Sequence, residues 1–167
     1  MNAATATRLK KAMLGVACAA GLSLTFAQVE ALTITGAVGP VGGGLITGIG
    51  NQCLQIGGVD STLAGPVTGW SCNNNLNQVW IITNGQIQKI NGSAAMCLTA
   101  AAAAGDGAVL EACNGSRTQR WTLNPEGEIV NEASGLCLDW AQAYTTNGRQ
   151  LNVEPCTGAD NQQFWPR

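Results

Sequence analysis

The sequence predicts an all-β fold made of three similar four-stranded repeats, and three observations carry this prediction. Short apolar segments alternate with turn signals rich in glycine, six cysteines fall into three pairs, and a Gln-x-Trp tripeptide follows each pair. The tryptophans of these tripeptides are 41 and 44 residues apart. A period of this length is typical of repeat architectures, in which one unit is too small to bury its own apolar face.

The first 31 residues differ from the rest and predict a signal peptide. Three basic residues, Arg8, Lys10 and Lys11, precede an uncharged stretch over 12–26 that is too short to span a bilayer. Cleavage is expected after Ala27 or Ala31, and residues 32–42 are interpreted as a linker or flexible arm. We therefore expect a secreted, extracellular protein whose folded domain spans residues 43–167.

The charge of the chain argues against nucleic acid as a partner. Removal of residues 1–31 leaves five basic and nine acidic side chains, a net charge of −4. The remaining basic residues are dispersed, whereas binding to a polyanion needs a dense basic face. The sequence also contains no segment that predicts a membrane span after the signal peptide.

Three segments repeat the same order of motifs. Each contains a cysteine followed by leucine, then a second cysteine, then Gln-x-Trp. The cysteines are Cys53 and Cys72, Cys97 and Cys113, and Cys137 and Cys156; the tripeptides are Gln78-Val79-Trp80, Gln119-Arg120-Trp121 and Gln163-Phe164-Trp165.

The simplest reading of these cysteines is one disulfide within each repeat. An even number of cysteines in a small exported chain indicates a disulfide framework. Zinc is the alternative, but the chain has no histidine and no Cys-x-x-Cys pair. We expect no metal and no cofactor.

Hairpin signals complete the expected repeat. Asn84-Gly85 lies between two apolar runs, Glu126-Gly127 stands at the corresponding place in the next repeat, and 43–46 opens the first repeat in a similar way. Four strands per repeat give twelve in all. Three such units around a pseudo-threefold axis would close into a barrel with a hairpin cap and few exposed edges.

Three Gln-x-Trp tripeptides in phase with three cysteine pairs resemble the ricin B-chain type β-trefoil lectin family over about residues 43–167. The resemblance implies a β-trefoil fold and carbohydrate binding. The indole of Trp80, Trp121 or Trp165 offers a large apolar surface, and the amide of each paired glutamine can tie loop backbone. These six residues are therefore expected to be scaffold, close to the axis.

The third repeat matches the family's sugar-binding positions best. Asp139 follows Cys-Leu, Asn152 takes the position of the strand amide, and Gln162 takes the amide position beside the tripeptide. Glu154 departs from the pattern, because the family has an aromatic residue there to stack on the sugar ring. Tyr144, in the intervening loop, is the expected substitute; Trp140 directly follows Asp139, so strand alternation should point it into the core.

The other repeats match less well. The first has Trp70 at the aromatic position and Asn77 beside Gln78, but Gln55 replaces the aspartate, which makes it a weaker second candidate. The second repeat has Thr99, Val109 and Glu111 at these positions and is expected to be structural only.

The sequence thus predicts a secreted, non-catalytic lectin-like protein that binds a neutral, galactose-like or xylose-like glycan at the third repeat. The alternative is a degenerate trefoil that acts as a protein-binding or inhibitory module without sugar binding. An enzyme is disfavoured because the chain lacks histidine, the commonest general acid–base group, although Glu154 and Asp139 make a carboxylate pair conceivable. Nothing in the sequence indicates an oligomeric state.

Overall fold

A computed structural model describes residues 43–57, 64–91 and 94–167. The described residues form thirteen short strands and five 3-10 turns, with no α-helix among them. The strands are Ile46–Thr47 (β1), Gln52–Ile56 (β2), Gly65–Ser71 (β3), Ile81–Thr83 (β4), Gln86–Asn91 (β5), Ala94–Thr99 (β6), Val109–Ala112 (β7), Trp121–Leu123 (β8), Ile129–Asn131 (β9), Cys137–Asp139 (β10), Arg149–Gln150 (β11), Asn152–Glu154 (β12) and Trp165–Pro166 (β13). The predicted signal peptide and linker lie outside the described residues.

These strands fall into three repeats of four, as the sequence predicts. The first repeat contains β1–β4, the second β5–β8 and the third β9, β10, β12 and β13. The two-residue strand β11 is additional, and it pairs with β3 of the first repeat. The fold is therefore the expected β-trefoil with one extra strand in the third repeat.

The repeats join at their shared strand edges. β1 pairs with β13, which brings the two ends of the domain together, and β3 pairs with β7 across the first and second repeats. The β4–β5 hairpin turns at Asn84 and Gly85, whose φ angles are 50° and 74°. Both residues of a type I′ turn need positive φ, and asparagine and glycine tolerate it best.

One disulfide closes each repeat, as predicted from the spacing of the cysteines. The bonds are Cys53–Cys72, Cys97–Cys113 and Cys137–Cys156. Each fixes the strand that contains the first cysteine to the loop that precedes the glutamine motif. In a domain of this size, such short cross-links restrict the unfolded chain and each contributes about 3 kcal/mol in the chain-entropy account.

Trp80 and Trp121 occupy equivalent positions in the core. Each is about 1% exposed, and each indole Nε1 donates to a buried carbonyl, that of Leu54 at 2.8 Å and that of Leu98 at 2.9 Å. The backbone N–H of Trp80 also donates to a glycine carbonyl, Gly44 O, at 2.8 Å. These contacts confirm the expected scaffold role of the two tryptophans.

In the third repeat the core position belongs to Phe164, and the prediction that Trp165 fills it is wrong. Phe164 is 1% exposed and its N–H donates to Gly127 O at 2.8 Å, as Trp121 N–H donates to Gly85 O. Trp165 is 46% exposed. Neighbouring residues of an extended chain point in opposite directions, so burying Phe164 turns Trp165 outward.

The motif of the third repeat is therefore Gln162-Gln163-Phe164, one residue earlier than the predicted tripeptide. One 3-10 turn in each repeat ends at an equivalent glutamine, which is Gln78, Gln119 or Gln162. Each of these glutamines accepts a backbone N–H from the residue five positions before it. Gln163 makes no such bond among the described residues and is not the scaffold glutamine.

Trp140 lies in the core, as strand alternation predicts. It is 1% exposed and stacks on Phe164 with the ring centroids 5.7 Å apart. Its indole also fills the space beside Gly48 and Gly69, where a Cβ atom would approach ring atoms to within 2.1 and 2.0 Å. The bulk of Trp140 therefore requires glycine at both positions of the first repeat.

A lysine is buried against Trp80. Lys89 is 2% exposed, and its Nζ donates to the carbonyl oxygens of Leu76 at 2.8 Å and Val79 at 2.7 Å. The ammonium lies 4.6 Å from the centre of the Trp80 ring. Burial lowers the pKa of Lys89 to about 7.

In the part of the chain described, no helix has the length and apolarity needed to cross a bilayer.

Candidate functional site

The residue that follows Cys-Leu is held by the scaffold glutamine in every repeat. The glutamine Nε2 donates to this residue's side chain over 2.9–3.2 Å. The three pairs are Gln78 with Gln55, Gln119 with Thr99, and Gln162 with Asp139. The same support thus positions a neutral amide, a hydroxyl or a carboxylate, and only the third repeat presents a charged acceptor.

Asp139 is the centre of the third-repeat set. It is only 4% exposed, and its Oδ2 accepts Nδ2 of Asn161 at 2.8 Å and Nε2 of Gln162 at 2.9 Å. Burial raises the pKa of the Asp139 carboxyl above its usual range, and the bonds from Gln162 and Asn161 oppose this shift. Oδ1 makes no hydrogen bond within the described ranges, which leaves one carboxylate oxygen for a ligand hydroxyl.

Gln162 has a different role from the predicted one. It is buried, its Oε1 accepts the N–H and the hydroxyl of Thr157, and its Nε2 donates to Asp139 and to the carbonyl of Pro155. All the hydrogen-bonding capacity of this amide is used within the protein. Gln162 therefore positions Asp139, and its predicted contact with a sugar is replaced by this supporting role.

Asn161 is the amide that the sequence reasoning missed. It precedes the scaffold glutamine, as Asn77 does in the first repeat, and it is half-buried with its Nδ2 on Asp139. The one-residue error in the third tripeptide moved this position onto Gln162. Counting from the second cysteine would have found it, since each scaffold glutamine follows that cysteine by six residues.

Asn152 and Glu154 lie on the strand that pairs with β10. Asn152 is directly opposite Asp139 in the register, and Glu154 is opposite Cys137. The Nδ2 of Asn152 donates to Oε1 of Glu154 at 3.0 Å, whereas Oδ1 of Asn152 is buried and has no partner among the described residues. An unpaired buried acceptor is costly, so this oxygen favours a ligand that donates a hydrogen bond.

Tyr144 lies in the loop between β10 and β12. This loop, residues 141–150, is called the strap here because it reaches across to the first repeat. The ring of Tyr144 is 47% exposed, and the guanidinium carbon of Arg149 lies 4.6 Å from its centre. Tyr144 is thus covered by Arg149 on one face, and no described contact joins it to Asp139.

Asn147 fastens the strap to the first repeat. Its Oδ1 accepts the N–H of Ser71 at 2.8 Å, the hydroxyl of Ser71 at 3.1 Å and Nε2 of Gln52 at 3.2 Å. Gly148 N–H donates to Gly69 O at 2.8 Å, and β11 continues the pairing with β3. The third repeat therefore covers part of the first.

The first-repeat candidates are close together but differ chemically from the third-repeat set. Trp70 is 37% exposed and borders Gly148 of the strap, where a Cβ would lie 3.5 Å from the indole. Gln55 is buried with its Oε1 bonded to Gln78, and Oδ1 of Asn77 is buried without a described partner. This repeat offers an aromatic surface without a carboxylate.

The second repeat offers neither feature. Thr99 is buried, and its hydroxyl accepts from Gln119 and donates to Cys97 O. Val109 and Glu111 occupy the strand positions opposite Thr99 and Cys97. These positions therefore have a packing role or face solvent.

A cleft of about 540 Å³ lies between the second and third repeats. Asn152 and Glu154 of the candidate set line it, together with Arg149 and Gln150 of the strap. Asp139, Tyr144, Asn161 and Gln162 do not line it. Strand β12 thus contributes residues both to the candidate set around Asp139 and to this cleft.

The family model for the ricin-type beta-trefoil lectin domain matches residues 42–165. The chain belongs to this family. Nigrin b of Sambucus nigra is 27% identical over 143 residues, which is 83% of this chain and 24% of nigrin b. The beta-galactoside-specific lectin 4 of Viscum album is 27% identical over 161 residues, 92% of this chain and 29% of that lectin.

The chain thus spans about a quarter of the length of these curated relatives. Among solved structures, the designed threefold-symmetric protein ThreeFoil superposes with a TM-score of 0.63 at 22% identity, over 74% of this chain and 96% of ThreeFoil. At this identity the likeness concerns the fold alone, and it agrees with the pseudo-threefold arrangement of the repeats.

Proposed function

We propose that this protein is a secreted, non-catalytic lectin that binds a neutral sugar at the third repeat. The observation that carries the proposal is the Asp139 carboxylate, which two amides hold by Oδ2 and which keeps Oδ1 for a ligand. A carboxylate oxygen that accepts a sugar hydroxyl makes a charge-assisted hydrogen bond, stronger than the bond a neutral acceptor would make.

Neighbouring groups support a hydroxyl-rich ligand. The buried Oδ1 of Asn152, on the strand paired with β10, is an acceptor without a partner, and sugar hydroxyls are donors. Glu154 adds a second carboxylate nearby, which disfavours acidic sugars such as sialic acid through charge repulsion. These features favour a neutral hexose or pentose.

Family membership supports the same function. The domain family is one of lectins, and one relative is named a beta-galactoside-specific lectin. Galactose-like sugars are therefore the first ligands to try, with xylose-like sugars as the second choice. The predicted signal peptide supports secretion, and the three disulfides fit an oxidising compartment.

A protein-binding module without sugar binding is the second candidate function. It is favoured by Glu154, because a carboxylate at this position cannot stack on a sugar ring as an aromatic side chain would. Tyr144, the proposed substitute, has one face covered by Arg149. This candidate uses the same trefoil surface for a protein partner.

A glycan array with the parent protein and Asp139→Asn separates the two functions. The lectin proposal expects a selective signal that free sugar competes away and that Asp139→Asn loses. Asparagine keeps an oxygen for Asn161 and Gln162, so the fold should survive, and a melting curve checks this. A blank array for a folded parent protein rejects the lectin and leaves the protein-binding module.

A further inference from the structure

We infer that the cleft between the second and third repeats is a second sugar subsite, so that the ligand is a neutral oligosaccharide of two or more residues. This inference rests on the proposed sugar binding at Asp139. The cleft measures about 540 Å³, within the range of pockets that hold a ligand larger than one sugar ring. Its walls come from the strap and β12 on one side and from the loop before β7 on the other.

The cleft adjoins the candidate set around Asp139 through β12. Asn152 lies opposite Asp139 in the paired strands and also lines the cleft, as does Glu154. The unpartnered Oδ1 of Asn152 therefore lies on the strand that joins Asp139 to the cleft. A sugar held at Asp139 can extend its next residue over Asn152 into the cleft without crossing another strand.

The lining of the cleft is rich in polar groups. Amide, carboxylate and guanidinium groups line the cleft together with the backbone of Gly105 and Gly107. A Cβ at Gly107 would overlap the amide of Gln150, and Gln150 in turn donates to Ala108 O at 3.1 Å. The floor is therefore exposed backbone held in place by a side-chain amide, which suits the hydroxyl edges of a sugar.

The lining of the cleft carries one charged side chain of each sign. Arg149 of the strap brings a cation to the cleft, and Glu154 of β12 brings an anion. Within the described ranges Arg149 has no ion-pair partner, and its stacking on Tyr144 holds the planar guanidinium at the cleft. Opposite charges disfavour a strongly anionic or cationic ligand, whereas both groups bond neutral hydroxyls.

The experiment compares affinities along two ligand series by calorimetric titration. One series is galactose and β-1,3-galactobiose, and the other is xylose, xylobiose and xylotriose. In the series that binds, the disaccharide should bind about tenfold more tightly than the monosaccharide, because one charge-assisted contact is added. Arg149→Ala should abolish this gain and leave the affinity for the monosaccharide within about twofold.

One further variant is the matched control for Arg149→Ala, and another is a second test of the cleft. Arg120→Ala makes the same charge change at an exposed arginine of the second repeat outside the cleft and should keep the gain. Gln142→Gly removes another cleft side chain at a positive φ of 57°, where glycine is favoured, and should reduce the gain without loss of stability.

The outcomes distinguish the subsite from the lectin function itself. If the monosaccharide binds through Asp139 but longer sugars bind no more tightly, the subsite is refuted and the lectin function stands. Retention of the gain in Arg149→Ala also refutes the subsite. If no sugar binds, or if Asp139→Asn leaves the affinity for sugar unchanged, the proposed function is refuted, and the subsite is refuted with it.

Discussion

Phe164→Ala and Trp165→Ala form a matched pair that tests the packing of the third repeat. Phe164 is 1% exposed and stacks on Trp140, whereas Trp165 is 46% exposed. Truncation of a fully buried aromatic residue costs about 3–5 kcal/mol, since it leaves a cavity as well as losing apolar burial. Truncation of Trp165 leaves a space open to water and should cost about 1 kcal/mol.

The measurement is guanidinium unfolding with the disulfides intact, followed by intrinsic fluorescence. The midpoint should fall much further for Phe164→Ala than for Trp165→Ala, with similar slopes in both. Trp121→Ala serves as the reference, because Trp121 holds the equivalent core position in the second repeat and should cost as much as Phe164→Ala. A larger loss for Trp165→Ala than for Phe164→Ala would refute the assignment of Gln162-Gln163-Phe164 and restore the tripeptide predicted from the sequence.

Three further predictions concern single groups. Burial lowers the folded-state pKa of Lys89 to about 7, so above that pH the unfolded chain binds more protons than the folded one. The free energy of unfolding, measured with urea, should therefore rise by about 2 kcal/mol between pH 7 and pH 9. The variant Lys89→Met should not show this rise. Burial raises the pKa of Asp139, and sugar binding needs the ionised carboxylate. As the pH is lowered, the affinity for sugar should therefore begin to fall at a higher pH than it would with an ordinary aspartate. An affinity that stays constant down to the usual aspartate range would contradict this. Asn147 accepts three hydrogen bonds through Oδ1. Asn147→Ala should therefore destabilise the domain by about 1–3 kcal/mol and speed amide hydrogen exchange in the strap. Asn147→Asp keeps the acceptor oxygen and should resemble the parent protein.

The sequence was sufficient for the fold because its signals repeat in phase. The cysteine pairs, the Cys-Leu segments and the first two Gln-x-Trp tripeptides each occur at equivalent positions, so three weak signals reinforce one another. Alternation along a strand also placed Trp140 in the core correctly. Local chemistry and long-range packing agree at these residues.

The third tripeptide was misplaced because the run Gln162-Gln163-Phe164-Trp165 fits the motif in two frames. An aromatic residue ends each frame, and composition alone favours tryptophan over phenylalanine. The frame is decided by the backbone hydrogen bond from Phe164 N–H to the carbonyl of Gly127, which lies in the turn between β8 and β9. This tertiary contact therefore places Phe164, and not Trp165, in the core.

The strap and the cleft could not be predicted from the sequence. The hydrogen bonds of Asn147 join residues 76 and 95 positions apart, and the strap has no apolar alternation that would predict β11. The cleft depends on where the strap lies relative to Gly105 and Gly107 in another repeat. Such placement is a property of the folded domain and leaves no local pattern.

Calorimetric titration of galactose, with the parent protein, Asp139→Asn and Trp70→Ala, tests the central claim of a sugar site at the third repeat most directly. Binding with one site per chain is expected for the parent protein. Asp139→Asn should weaken it by about ten- to a hundredfold, since a hydrogen bond to a charged group contributes roughly 1.5–3 kcal/mol, and Trp70→Ala should leave it unchanged. Unchanged affinity in a folded Asp139→Asn, with binding lost in Trp70→Ala, would contradict the claim and place the site at the first repeat.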